Sequence, residues 1–449
     1  MATLVQSGKW IQKGLEIIIA AISWMVFLFL DFLEVFMCIF YRLLDEFLEG
    51  KAYSSCYCME LMEEKEKTGD CHHVAQVEVD GESELSETLH RRRNFFRGLL
   101  GSLGISLVPK GWRDGESFLQ MRNGTRWSDC GCDSCVEWMK NADDPKLHVV
   151  VQEPQTERAS WVDSKEREAE NVIFLHGFLS SSSFWTETVF PNLSESAKQN
   201  CRLFAVDLLG FGRSPKPRDC FYTLKDHLEM IEYSVIGPYQ LNSFHLVAHS
   251  MGCIIALALA AKHSKSVKSI TLIAPPYFSS LREDASMVAL ERLAAKRLWP
   301  PLLFGSSFMS WYEHLGRCVC FIICRNHQMW ESLLKFITRR RNLHFTFIDL
   351  TRHTHHSAWH TMHNVICGGA KLADKYLETL RMAKVKINVI QGTRDQVVPI
   401  ECSINIQKQV QEAEIDKIAN ANHGSVVLGR EKDFTRDLER IWSSVADLH

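Results

Sequence analysis

The stretch Phe244-His-Leu-Val-Ala-His-Ser-Met-Gly-Cys-Ile-Ile-Ala-Leu-Ala-Leu259 decides the fold. Its first four residues are mostly apolar or aromatic and of strand type, whereas Cys253 to Ala261 is rich in Ala and Leu and reads as helix. Between strand and helix stands Ala248-His249-Ser250-Met251-Gly252. A chain that turns this sharply needs small residues two before and two after the serine, because the backbone there passes close to its neighbours. Gly252 meets that need, and Ala248 is the next smallest choice. The turn predicts strained backbone geometry at Ser250 with an exposed hydroxyl, which makes it a candidate nucleophile.

A serine nucleophile needs a base and an acid, and both follow in order. Lys386–Gln391 reads as a late strand, and Gly392-Thr-Arg-Asp-Gln-Val-Val-Pro399 puts Asp395 in a turn at its C-terminal end, where α/β sheets carry their active sites. The strand Glu414–Ile418 then leads to Ala421-Asn-His-Gly424, which places His423 in the next loop. In such a triad His423 takes the serine proton and Asp395 fixes its tautomer and stabilises the imidazolium. Asp226, Asp349 and Asp416 compete for the acid's role, but none follows the expected strand. Upstream, Asn171-Val-Ile-Phe-Leu-His-Gly-Phe178 is a buried strand ending in His-Gly, and Asp207-Leu-Leu-Gly-Phe-Gly-Arg-Ser214 follows the next strand. Motifs in this order at strand ends predict an α/β fold with a mostly parallel central sheet flanked by helices.

Together these motifs, over residues 146–446, resemble the α/β-hydrolase superfamily. The resemblance implies that the backbone N–H groups of Phe178 and Met251 form an oxyanion hole. His176, Gly177 and His249 become candidate substrate contacts. More than a hundred residues separate the strand Ser269–Ala274 from Lys386–Gln391, too long for a plain connection, so they are expected to fold as a helical lid. Superfamily members carry a cap there. Trp299, Phe304, Phe308, Trp311, Tyr312, Phe321, Trp330, Phe336, Phe345, Phe347 and Trp359 supply its core and leave some rings for an acyl-chain channel. The expected segments are 1–50 apolar signal or anchor helix, 51–93 charged linker and 94–145 Cys/Trp-containing extension. Residues 146–276 form the first part of the core, 277–383 the lid and 384–449 the second part of the core. The triad chemistry requires neither cofactor nor metal.

A net charge of −3 on 449 residues implies no polyanionic partner, so nucleic acid as a partner has no support. Ile17–Leu30 carries no charge, follows Lys9 and Lys13, and is short of the roughly 18–20 residues of a comfortable span. Apolar character resumes from Val35 to Tyr41. At about 100° per residue, Lys9, Lys13, Glu16, Asp31, Glu34, Arg42, Asp45 and Glu49 fall within an arc of roughly 80°, with Glu46 just outside. A cleaved signal has no use for such a stripe, so a retained anchor or interfacial helix is expected, with cleavage near Ala52–Ser55 as the alternative. The basic flank predicts a secretory route, with the catalytic domain lumenal or extracellular. The sequons Asn123-Gly-Thr and Asn192-Leu-Ser are consistent with it.

The fifteen cysteines leave at least one unpaired within a monomer. Cys253, on the apolar helix, reads as a buried free thiol. Cys56 and Cys58 are candidates for disulfides or for acylation. Cys130-x-Cys132-x-x-Cys135 offers three thiolates without a clear fourth zinc ligand, so disulfides in an oxidising compartment are the expected outcome. His353, His355, His356, His360 and His363 cluster in the lid, and His356, His360 and His363 share a helical face that a metal could use. Helix packing is the plainer expectation.

The apolar N-terminal helix, the Cys-x-Cys-x-x-Cys segment, VIFLHGFLSSSSFW, VAHSMGCIIALALA and THHSAWHTMHN together resemble the plant BODYGUARD family over nearly the whole chain. That resemblance implies a lysophospholipase-like hydrolase of lipid or acyl esters, held at the membrane by its N-terminal helix and needed for cuticle formation at the cell surface. The same triad would equally serve an acyltransferase making cutin polyester. A non-catalytic lipid or hormone receptor of the same fold is the alternative from another class.

Overall fold

The computed structural model describes residues 2–49, 85–89, 94–102, 125–141, 143–155, 169–278, 285–294 and 308–446. Expectations for the linker, Cys56, Cys58, Asn123, Trp299, Phe304 and the cleavage region lie outside them.

Seven strands form the sheet: β1 (Val149–Gln152), β2 (Glu170–Leu175), β3 (Cys201–Val206), β4 (Phe244–His249), β5 (Val267–Ile273), β6 (Lys386–Gly392) and β7 (Glu414–Ile418). Their order is β1-β3-β2-β4-β5-β6-β7, with β1 antiparallel to β3 and every other pair parallel. Strands β2 and β4 are buried because helices cover both faces of a parallel sheet, which is why they read as continuous apolar runs. The chain turns back between β2 and β4, and a crevice at such a reversal is where α/β sheets bind ligands.

The helices of seven or more residues are α1 (Ala2–Glu49), α2 (Phe95–Ser102), α3 (Leu224–Ile231), α4 (Met251–Lys262), α5 (Ala285–Ala294), α6 (Glu313–Ile322), α7 (His327–Thr338), α8 (His355–Thr361), α9 (Ala373–Met382), α10 (Ile400–Gln409) and α11 (Glu431–Ala446). Helix α11 closes one face of the sheet with Phe434, Leu438 and Trp442 against Phe174, Trp185 and Phe190. Helices α5 to α9 all fall between β5 and β6, so the described part of that insertion is helical.

The chain divides into two compact units. One contains the sheet. The other contains α1, α2 and the described residues of 290–319. In this second unit Asp31, Glu34 and Asp45 of the charged stripe of α1 meet protein partners. Glu34 accepts from the His314 and Leu315 amides at the start of α6 and pairs with His314 Nδ1 at 2.8 Å. Asp45 meets the Arg317 guanidinium with two bonds of 2.7 Å, and Asp31 accepts from the Tyr312 hydroxyl. The apolar side, including Trp24, Phe29, Phe36, Leu43 and Phe47, is exposed. Ala21–Glu49 is long and apolar enough to cross a membrane, by length and composition.

Candidate active site

The turn after β4 has the predicted geometry. Ser250 adopts φ 52° and ψ −121°, a conformation that L-residues avoid, and Met251 opens α4 directly after it. Gly252 is there because nothing larger fits: an added Cβ would lie 2.6 Å from the His176 carbonyl oxygen and 2.8 Å from that of Leu175.

His423 Nε2 lies 2.9 Å from Ser250 Oγ, and His423 Nδ1 lies 2.8 Å from Asp395 Oδ2. The three residues come from the ends of β4, β6 and β7, so the sheet brings together groups up to 173 positions apart. Asp395 Oδ1 accepts from the Val397 and Val398 amides at 2.8 and 2.9 Å. Burial opposes its ionisation, but the hydrogen bond and charge of His423 and those two amides outweigh it and lower the carboxyl's pKa. The carboxylate therefore favours Nδ1–H on His423 and leaves Nε2 as an acceptor toward the serine.

Gly177 brings the chain after β2 against this turn. A Cβ there would sit 2.9 Å from His249 Nδ1 and 3.2 Å from Ser250 Cβ. Phe178 is the next residue, with its ring against Phe211. Met251 is the first helical residue of α4, whose N–H has no partner within the helix. These are the two amides expected to face a developing oxyanion.

His176 and His249, the two histidines expected to contact substrate, hold neighbouring backbone beside the site. His176 is fully buried, donates from Nδ1 to the Gly177 carbonyl at 2.7 Å and accepts the Leu208 amide on Nε2 at 2.9 Å. Both nitrogens are used, and burial lowers its pKa. His249 stacks on Phe184 and donates from Nε2 to the His423 carbonyl at 3.1 Å. Burial and the neighbouring His423 hold its pKa down to about 3, so it stays neutral while it anchors the histidine loop.

Gln391 and Ser403 escaped the sequence reading. Gln391 is buried at the end of β6, donates to Asp395 Oδ2 at 3.2 Å and to the Val398 carbonyl at 3.1 Å, and accepts from Ser403 Oγ at 2.9 Å. Its one sequence signal was a polar residue ending an apolar strand. The loop after β3 is structural: Asp207 accepts from the Ser182 and Arg213 amides, and Gly212, at φ 54°, leaves no room for a Cβ beside that carboxylate. The rival acids are elsewhere. Asp226 caps α3, Asp416 is exposed on β7, and Asp349 is buried with one carboxyl oxygen unpartnered.

Among the described residues, the donor atoms of His356, His360 and His363 do not converge as a metal site would need. His356 donates from Nε2 to the Cys220 carbonyl at 2.9 Å and stacks beside His360. His363 lies where the helix widens into a π-turn (Met362–Cys367). Among the described residues, donor atoms converge in two other places: Cys130, Cys132, Cys135 and His327, and Cys320, Cys324 and His353. The described cysteines, the Cys130-x-Cys132-x-x-Cys135 set included, carry no disulfide.

A family model described as the alpha/beta hydrolase fold matches residues 170–299. The chain is 51% identical over 428 residues to the Arabidopsis thaliana protein named "Probable lysophospholipase BODYGUARD 4", covering 95% of this chain and 97% of that protein. The chain belongs to the BODYGUARD family. A second Arabidopsis thaliana member, "Probable lysophospholipase BODYGUARD 5", is 48% identical over 98% of both chains. Membership extends over the N-terminal helix and the lid as well as the hydrolase motifs, because the matched share leaves almost nothing outside it.

Proposed function

We propose that this BODYGUARD-family chain is a serine hydrolase of lipid or long-chain acyl esters. The observation that carries the reading is the continuous hydrogen-bond chain Asp395–His423–Ser250 on a turn that strains the serine. Ser250 Oγ attacks the ester carbonyl while His423 Nε2 takes its proton, and the amides of Phe178 and Met251 receive the oxyanion. As the tetrahedral species collapses, His423 gives that proton to the leaving alcohol. A water then enters, loses a proton to His423 and releases the acid, and Ser250 regains its hydrogen.

The lipid assignment is supported by the relatives' printed names and by apolar surface outside the site. Helix α7 exposes Met329, Leu333, Phe336 and Ile337 along one side and runs into exposed Arg339, Arg340 and Arg341. An apolar stripe ending in cations suits the surface of an anionic membrane. Helix α1 serves as the membrane attachment, on a secretory route that exposes the hydrolase at the cell surface. There its esters supply cuticle formation.

Turnover of a lysophospholipid by the purified full-length chain tests the substrate class, with a hydroxy-fatty-acyl ester and a short water-soluble ester alongside. The reading expects fatty acid release from the lysophospholipid. Preferential turnover of the short ester would remove the lipid assignment, and a polyester product would replace hydrolysis by acyl transfer.

A further inference from the structure

Three thiols from the extension meet a histidine from the lid. Cys130, Cys132 and Cys135 lie on a turn and the short helix Asp133–Val136, and His327 opens α7. His327 Nε2 is 3.3 Å from Cys132 Sγ and 3.5 Å from Cys135 Sγ, and all four donor atoms lie within 4.8 Å of one another. A tetrahedral zinc ion with Zn–S of about 2.3 Å and Zn–N of about 2.0–2.1 Å places neighbouring sulfur and nitrogen donors roughly 3.5 Å apart. The two His327–sulfur distances match that tetrahedron's edge.

The surroundings point the same way. His327 Nδ1 is 2.9 Å from Glu331 Oε1, one helical turn along α7, which fixes the ring and turns Nε2 toward the sulfurs. A carboxylate behind a histidine is the usual support of a zinc ligand. The Cys132 amide donates to Cys130 Sγ at 3.5 Å, a contact that favours thiolate. A disulfide would pair two of the three sulfurs, strand the third and leave the His327–Glu331 pair without a task.

We propose that Cys130, Cys132, Cys135 and His327 bind one Zn²⁺ as a closed structural site that staples residues 125–141 of the extension to α7. Each thiol gives up its proton to solvent as its S–Zn bond forms, and the imidazole binds through neutral Nε2. With four protein donors the ion has no open position and takes no part in ester chemistry. The staple adds to a packing contact already present, the Trp127–Phe321 ring pair that joins this extension to the lid.

We propose a second ion at a second triangle of donors, Cys320, Cys324 and His353. Cys320 Sγ and Cys324 Sγ lie 3.6 and 3.5 Å from His353 Nε2, again at tetrahedral spacing, and both thiols are buried. With three protein donors its fourth position goes to water.

Zinc per chain, measured by mass spectrometry on full-length protein purified without chelators or metal-affinity steps, tests both sites. The expected content is two. Cys132→Ser with Cys135→Ser removes one equivalent, and Cys320→Ser with Cys324→Ser removes the other. One equivalent in the wild type, lost with the first pair of substitutions, overturns the triangle alone. Should the variants fail to fold, cobalt added to the metal-stripped wild type gives tetrahedral visible bands and thiolate charge transfer if the sites exist. Folded wild type without zinc and without those bands overturns both. So does an intact mass two hydrogens lighter per cysteine pair, with the pairs mapped to these residues.

Discussion

Helices α1 and α4 are both strongly apolar, and they sit in opposite surroundings. Helix α4 is buried on nearly every side by the sheet and α9, and its N-terminal end carries the nucleophile turn. Helix α1 turns its charges inward onto the start of α6 and its aromatic side outward. Apolar composition is therefore not enough to tell a helix buried on every side from one with an exposed apolar side. The partners of the few polar residues decide it. On α4 there are almost no such residues to satisfy, whereas on α1 Glu34 and Asp45 each have a cationic or amide partner inside the unit.

The largest effect expected from this contrast is at the N-terminal end of α4. His423→Ala should lower kcat by on the order of 10⁴-fold or more without loss of the fold, since the base is removed and the binding surface remains. A loss of tenfold or less would separate that helix end from the chemistry. On α1, Arg317→Met removes the bidentate partner of the buried Asp45 carboxylate and should destabilise its unit by about 3–5 kcal/mol, while adding Asp45→Leu should recover most of the loss. Equal thermal midpoints for the single and double variants would mean the pair is not a buried one.

Glycine substitutions sharpen the same comparison. Gly252→Ala drives a Cβ into two carbonyl oxygens and should cost about 1–3 kcal/mol. Gly14→Ala on α1 meets nothing within 4 Å and should raise stability by about 0.5–1 kcal/mol. Chemical denaturation of both variants compares them, and equal signs would refute the difference in packing.

The smallest effect concerns a carboxylate that lacks the kind of partner Asp45 has. Burial, with Asp207 close by, pushes the Asp349 carboxyl up to about 7 despite a hydrogen bond from Ser181. Its folded pKa lies above the unfolded value, so the folded state holds the extra proton between about pH 4 and 7. Stability from this group is present at low pH and falls as pH rises through that window. Asp349→Asn should flatten that slope in thermal midpoints taken across it, and an unchanged slope would refute the assignment.

The sheet and the nucleophile turn were legible because both are local. A strand of period-free apolar residues and a Gly two after the serine declare themselves within a dozen positions. Asp395 and His423 were legible because each ends a recognisable strand. Gln391 and Ser403 were not, because a polar side chain at a strand end looks the same whether it braces an acid or faces water. For His176 and His249 only the folded structure reveals that both ring nitrogens of the first, and Nε2 of the second, are held by backbone groups. His327 lies 192 positions from Cys135, and nothing near either residue announces the other. The charge stripe on α1 was visible as a pattern, but its partners on α6 come from far along the chain.

The most direct test of Ser250 as the nucleophile is stoichiometric labelling with a fluorophosphonate probe, wild type beside Ser250→Ala. One label per folded wild-type chain and none on the variant is the predicted result. A folded wild type that takes no label, or a variant labelled as fully as the wild type, would contradict it.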